Sequence, residues 1–419
     1  MRVLYNLIIF LLLPAYAAYW LGKAVINRRY RPQIGQRFGM GYPKLEQSIW
    51  VHAVSVGEVV AAAPLVRALA RRYPDNPLIV TTITPTGASR VRALFGKTVY
   101  HAYIPFELPL AVGNLFESID PKMAIIIETE IWPNLYHGCG KRGIPLVLAS
   151  ARISPKSVRN YSRLLPLFRE TLSHGIVIAA QSESDARRFL ALGAAPERTQ
   201  VTGNIKFDIE LPPDLVERGR ELREEMFGER PVWIAASTHD GEESIVLDVH
   251  ERVRAAHPDL LLVLVPRHPE RFPVVRESLE KSGVSFVSRT DDRACSAETS
   301  VLLVDTMGEV PLFYAASDVA FVGGSLVPIG GHNLLEPAAL GLPIITGPHM
   351  FNAQEIADQF VSRDACVMVE DAVGLEAALM SLLGDPEAAK WLGERGREFL
   401  KTNRGALWRL LELVDPLMK

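Results

Sequence analysis

At 419 residues the chain exceeds what one ordinary hydrophobic core organises, which points to two domains. With 48% hydrophobic residues, 22% charged residues and a net charge of -3, it has a globular composition and no basic field for a polyanion, which argues against a nucleic-acid partner. Cys139, Cys295 and Cys366 show neither CxxC nor Cys/His ligand spacing, so neither a disulfide framework nor a metal site is indicated, and a reducing compartment fits.

From Val3 to Leu21 the chain is almost wholly apolar, close to the ~20 residues a helix needs to cross a bilayer. Tyr16, Tyr19 and Trp20 near its end suit an interfacial aromatic belt. Ala15-Tyr16-Ala17 resembles a small-x-small cleavage site. Against cleavage, Arg2 is the one charge before the run, whereas Lys23, Arg28, Arg29, Arg31 and Arg37 follow it. A positive flank on that side resists translocation, so the expectation is an uncleaved anchor over 1–24 with the rest in the cytoplasm. A helix lying on the membrane is disfavoured because the run has no polar face.

From Ser48 onward, apolar runs at 49–54, 78–82, 123–127, 144–148 and 176–180 alternate with helical stretches such as 57–73 and 110–119. Continuous apolar strands alternating with helices imply a parallel sheet covered on both faces. The pattern halts at Ile209-Glu210-Leu211-Pro212-Pro213, where a charged helix over 214–226 reads as the interdomain connection. It restarts at 232–236 and continues through 260–265, 284–287, 301–304, 319–322 and 343–346. The expected fold class is α/β: two doubly wound Rossmann-like domains, 35–211 and 212–419, facing a central cleft at the carboxyl ends of their strands. The segment 386–419 reads as helical without indicating which domain it packs on.

The densest candidate site follows the strand at 319–322, where Gly323-Gly324 and Gly330-Gly331 precede a short helix from about Asn333. Such glycines permit positive φ and close approach to a ligand, and helix-start N–H groups favour an anion such as phosphate. The plain alternative is a tight turn, with Glu336 favoured by the helix dipole. Glu336 can also accept from two vicinal hydroxyls, as a ribose presents.

Other polar groups stand at strand ends. Ser55 and Glu58 have capping-box spacing, or else Glu58 is a base aimed at an attacking hydroxyl. Glu128 and Glu130 close another strand beside Trp132 and Pro133, and point the same way if the chain there is extended. Arg152 offers these carboxylates or an acidic substrate a cation, and Lys206 within Gly203-Asn204-Ile205-Lys206-Phe207-Asp208 offers another. In the second half, Pro266-Arg267-His268-Pro269-Glu270-Arg271 is a rigid cationic turn suited to a phosphate or a pyrimidine edge. Thr306 and Glu309 again have capping-box spacing around Met307-Gly308, where glycine leaves room beside the backbone, and His239 stands among helix-capping residues.

Together, Ser-Val-Gly-Glu58, Glu128-Thr-Glu-Ile-Trp-Pro-Asn134, Gly203-Asn-Ile-Lys-Phe-Asp208, Pro266-Arg-His-Pro-Glu-Arg-Phe272, Met307-Gly-Glu309 and Gly330-Gly-His-Asn-Leu-Leu-Glu336 resemble the bacterial 3-deoxy-D-manno-octulosonic acid (Kdo) transferases. The resemblance spans nearly the whole chain. It implies the GT-B fold, and transfer of Kdo from CMP-Kdo to the lipid A precursor at the cytoplasmic face of the inner membrane, with inversion and without metal or other cofactor. It implies a general base at Glu58, transition-state support from Glu130 and Lys206, and CMP binding by Pro266, Arg267, Met307, Gly308, Glu309, Asn333, Leu334, Leu335 and Glu336. The first domain is then the acceptor side and the second the donor side. Glu107 and Ser150 stand where relatives often carry Asp and Asn, which bears on acceptor contacts. A GT-B transferase using a UDP-sugar, or a membrane-tethered nucleotide-binding protein without activity, are the alternatives.

Overall fold

A computed structural model describes residues 1–31, 34–162, 165–173 and 175–419, without the side chain of Arg29. The chain forms two compact units, Met1–Asp208 with Asn403–Lys419, and Ile209–Thr402. The sequence-based division kept 212–419 together, whereas the contacts give the tail to the first unit.

In the first unit β1 (Ser48–His52), β2 (Leu78–Thr82), β3 (Tyr100–Tyr103), β4 (Pro121–Ile127), β5 (Leu146–Ala151), β6 (Val177–Ala180) and β7 (Thr199–Val201) form a parallel sheet ordered β3-β2-β1-β4-β5-β6-β7. Ile49, Val51, Ile125 and Val147 enter the core on one face, and Trp50, Ala124, Ile126 and Leu148 enter it on the other. Strand geometry sends successive side chains to opposite faces, and both faces are dry, so these strands read as unbroken apolar runs. The strand order reverses between β1 and β4, where such sheets bind ligands.

The final helix, Ala406–Val414, adds Ala406, Leu410 and Val414 to the face holding Ile49 and Val51. Asp208 fixes it there. Its carboxylate accepts the backbone N–H groups of Gly405 and Leu407, both at 2.6 Å. Asp208→Ala leaves these N–H groups without their acceptor, so urea unfolding is expected to show a loss of about 1–2 kcal/mol. An unchanged midpoint would mean that apolar packing alone holds the tail.

The N-terminal helix Arg2–Ile26 is long and apolar enough to cross a membrane, and it belongs to the first unit. One face docks on that unit. The Tyr5 hydroxyl donates to Glu107 at 2.9 Å, and Asn134 Nδ2 donates to Asn6 at 2.6 Å. Tyr16 stacks on Phe106 with centroids 3.9 Å apart, and the Arg37 guanidinium lies 3.5 Å over the Trp20 ring. Val3, Leu7, Leu11 and Val25 remain exposed on the helix. Arg37, expected in the basic flank, is buried instead, packed against Trp20 and Tyr103.

In the second unit β8 (Val232–Thr238), β9 (Leu261–Pro266), β10 (Phe286–Ser288), β11 (Val301–Leu303), β12 (Val319–Val322), β13 (Ile344–Thr346) and β14 (Val367–Met368) form a parallel sheet ordered β10-β11-β9-β8-β12-β13-β14. Its order reverses between β8 and β12. Each unit therefore has its own switch point.

Candidate active site

In the first unit, the chain leaving β1 enters the helix Val56–Arg72 through Ser55, whose hydroxyl accepts the Glu58 backbone N–H at 3.3 Å. The Glu58 carboxylate accepts the Val54 N–H at 2.6 Å. The hydroxyl half of the capping box is therefore formed, whereas the carboxylate bonds one residue before the cap, at Val54, and remains partly exposed. Burial is the largest influence on Glu58, and with the charges of Glu128 and Glu130 it outweighs the bond from Val54 and pushes the pKa up to about 7.

At φ 61° Glu128 leaves β4 in the left-handed region. This breaks the extended geometry that would have aimed Glu128 and Glu130 alike, and the two carboxylates take different partners. Glu128 is 8% exposed and receives Lys206 Nζ at 2.7 Å and Arg152 Nε at 2.9 Å. Burial alone would raise its pKa, but the two cations hold the carboxyl below its usual range. Glu130 instead accepts the Trp132 indole N–H at 2.6 Å, and burial raises its pKa. Lys206 thus pairs with Glu128, and not with Glu130. Its place is set by Asn204, which accepts the Lys206 N–H at 2.9 Å and donates to Gln181 at 3.2 Å.

Ser150, φ 52°, places its hydroxyl 3.4 Å from Asn204 Oδ1 in the same network. Glu107 is buried, accepts the Asn134 and Leu135 N–H groups at 2.9 Å, and has its pKa pushed up to about 7 by burial. Its carboxylate is engaged in holding the N-terminal helix and the helix Pro133–Arg142.

Glu128, Ser150 and Ser237 share positive φ at the carboxyl ends of β4, β5 and β8. Such conformations cost roughly 1–3 kcal/mol each and gather at functional sites.

In the second unit, Glu242 joins the two switch-point strands. Fully buried at the start of the helix Glu242–Arg254, it accepts backbone N–H groups of His239 at 3.3 Å, Gly324 at 2.7 Å, Ser325 at 3.1 Å and Leu326 at 3.0 Å. The glycines of this loop are packed against protein. A Cβ on Gly323 would meet Glu242 Oε2 at 2.8 Å, and one on Gly331 would meet Met350 Sδ at 2.0 Å. The close approach expected to serve a ligand is filled by side chains. Gly308 differs, since its φ is 87° and the space beside it is open.

Beside Gly324, His239 Nε2 and His332 Nε2 lie 2.8 Å apart, and the His268 ring is 5.2 Å from that of His239. Burial, then Arg267 and the other two histidines, hold the His332 pKa down to about 3. An anion arriving there would favour protonation. Arg271 is bound twice by Glu243 at 3.1 Å, and by Asp240 at 2.8 Å, so Arg267 is the exposed guanidinium of this turn, with the His268 ring exposed beside it.

Pro266, Leu334 and Leu335 have buried side chains and offer a ligand only backbone. Met307 is exposed, while Glu309 receives Arg289 at 3.2 Å and the Thr306 hydroxyl. Asn333 donates to Glu336 at 3.1 Å and accepts the Leu335 N–H at 3.0 Å, knitting the start of the six-residue helix Leu335–Leu340. Sequence reasoning missed Glu242 and the histidine cluster. Their residue types resembled ordinary capping, and their partners lie far along the chain.

Residues 32–209 match the family described as 3-Deoxy-D-manno-octulosonic-acid transferase (kdotransferase), and residues 229–399 match Glycosyl transferases group 1. A 3-deoxy-D-manno-octulosonic acid transferase of Haemophilus influenzae is 44% identical over 401 residues, covering 94% of each chain. The C-terminal CMP-Kdo binding domain of WaaA from Acinetobacter baumannii is 37% identical, covering 44% of this chain and 97% of that one, with a TM-score of 0.43. UDP-GlcNAc 2-epimerase from Neisseria meningitidis bound to UDP-GlcNAc, 14% identical with a TM-score of 0.57 over 88% of this chain and 99% of that one, shares the fold. Two doubly wound units in the GT-B manner, matched nearly end to end by a named relative, settle the class: the chain is a glycosyltransferase and belongs to the 3-deoxy-D-manno-octulosonic acid (Kdo) transferase family.

Proposed function

We propose that this transferase moves Kdo from CMP-Kdo to the lipid A precursor, lipid IVA, at the cytoplasmic face of the inner membrane, with inversion and Glu58 as general base. The observation that carries the reading is a partly exposed carboxylate at the first unit's switch point, with its pKa raised to about 7. That value suits proton transfer near neutral pH. An acceptor hydroxyl gives its proton to Glu58 as its oxygen bonds to the Kdo anomeric carbon. The bond from that carbon to CMP breaks on the opposite face, and CMP leaves with the electron pair.

Kdo carries a carboxylate on the reacting carbon. Lys206 and Arg152, both held by Glu128, are the cations assigned to it, and Glu130 supports the same region through Trp132. On the donor side, Arg267 and the neighbouring histidines meet the phosphate charge. The open backbone at Gly308 admits the nucleotide, beside Pro266, Met307 and Glu309. Asn333 to Glu336 complete the CMP site, Glu336 taking the ribose hydroxyls. The apolar N-terminal helix and the basic residues behind it support attachment to the cytoplasmic leaflet.

Donor identity is tested by competition. CMP should inhibit turnover and UDP should not; the reverse would assign a UDP-sugar donor. Activity should also report Glu58. Below about pH 7 the carboxyl is protonated and cannot accept a proton, so kcat/KM should fall about tenfold per pH unit on the acid side and level off above. A flat profile through neutrality would remove Glu58 from the base role.

A further inference from the structure

Within the first unit, a cavity of about 360 Å³ lies between the N-terminal helix and the segments that follow β2, β3 and β4. Ile9, Tyr16 and Trp20 form its helix side, and Ile83, Ile131 and Trp132 stand among the residues opposite. Its volume lies in the range of small-ligand sites, about 300–1,000 Å³.

The chemistry of the wall suits hydrocarbon. The Arg37 and Glu107 side chains in it already have partners: Arg37 donates to the Ile83 carbonyl and packs on aromatic rings, and Glu107 accepts from Tyr5, Asn134 and Leu135. The helix that forms one wall also exposes Val3, Leu7 and Leu11. A chain leaving a bilayer can therefore pass beneath this helix without its methylenes crossing water. Trp132 then ties the cavity to the reaction site: its ring lines the cavity while its N–H holds the Glu130 carboxylate at 2.6 Å. An occupant would thus have its polar end delivered toward the carboxylates after β1 and β4.

From this continuity of membrane helix, apolar cavity and carboxylate site, we infer that the cavity receives one acyl chain of the acceptor lipid, with the N-terminal helix as a wall of the acceptor site as well as a membrane attachment. The inference rests on the acceptor being lipid, as proposed above. It requires the helix to stay docked on the first unit while its outer face meets the bilayer.

The test fills the cavity with Ile83→Phe and Ile131→Trp. Two acceptors are compared, the tetra-acylated disaccharide and the same disaccharide stripped of acyl chains. Each buried methylene is worth roughly fourfold in affinity, so kcat/KM for the acylated acceptor should fall about tenfold or more while transfer to the stripped acceptor is unchanged. Equal loss on both acceptors, or loss on neither, overturns the inference.

A second readout is independent of turnover. An acceptor with a diazirine near the end of an acyl chain, presented in phosphatidylethanolamine–phosphatidylglycerol vesicles, should label peptides containing Ile83 or Ile131. Unlabelled acceptor should compete, and excess phospholipid should not. Label confined to Leu7 and Leu11, or displaced equally by phospholipid, contradicts acceptor binding in the cavity. If the wild type transfers to neither acceptor, it is the functional reading that fails, and the labelling pattern still decides the cavity.

Discussion

Glu58→Gln is expected to lower kcat by about 10²–10⁴-fold, the usual contribution of a positioned general base, while CMP affinity measured by calorimetry stays within about twofold. The substitution separates the two roles of this residue. A glutamine oxygen can still accept the Val54 N–H that the carboxylate accepts at 2.6 Å, so the start of the helix Val56–Arg72 keeps its bond. What is lost is the ability to take a proton. Stability gives the complementary sign. Because burial and the like charges of Glu128 and Glu130 raise the pKa of Glu58 to about 7, its ionised form is disfavoured in the folded state. The penalty grows as pH rises from the unfolded value toward about 7 and is fully present above it. The variant should therefore be at least as stable as wild type at alkaline pH. Loss of fold and loss of CMP binding together would show that Glu58 serves only to cap its helix.

The largest stability effect is expected at Glu242. Its carboxylate accepts four backbone N–H groups in a fully buried position. Glu242→Gln keeps the volume but turns one acceptor into an NH2 group facing backbone donors, which strands them without water. With two donors stranded, the second unit should be destabilised by roughly 2–6 kcal/mol, against a typical total of about 5–15 kcal/mol. Urea unfolding followed by Trp233 fluorescence should show a much lower midpoint, with weaker CMP binding because the loops after β8 and β12 lose their shared partner. A midpoint near wild type would mean that the loop is held by its glycine packing and not by the carboxylate.

The central strands were legible because both faces of each sheet are dry. Runs such as 78–82 and 319–322 coincide with β2 and β12. Strands β3, β7 and β14 were not anticipated, and each lies at a sheet edge. Tyr100 is exposed in β3, Gln200 and Val201 in β7, and Val367 and Met368 are only partly buried. An edge strand needs no continuous apolar run, so the pattern that reveals a central strand is missing there.

The same limit governs the site. Ser55 and Glu58 were readable because the cap that the Ser55 hydroxyl makes on the Glu58 N–H is local. The pairing of Lys206 with Glu128 was not, since it depends on the positive φ at Glu128 and on a partner far along the chain. The N-terminal apolar run likewise declared its length and character. Its docking through Tyr5, Asn6 and Tyr16 became visible only once Glu107, Asn134 and Phe106 were in place.

The most direct test of the account is transfer to tetra-acylated lipid A precursor with a verified CMP-Kdo supply, read by mass spectrometry. Wild type should add Kdo mass to the acceptor in discrete steps, and Glu58→Gln under the same conditions should add none within the assay. No mass gain with wild type, or equal gain with both proteins, would contradict it.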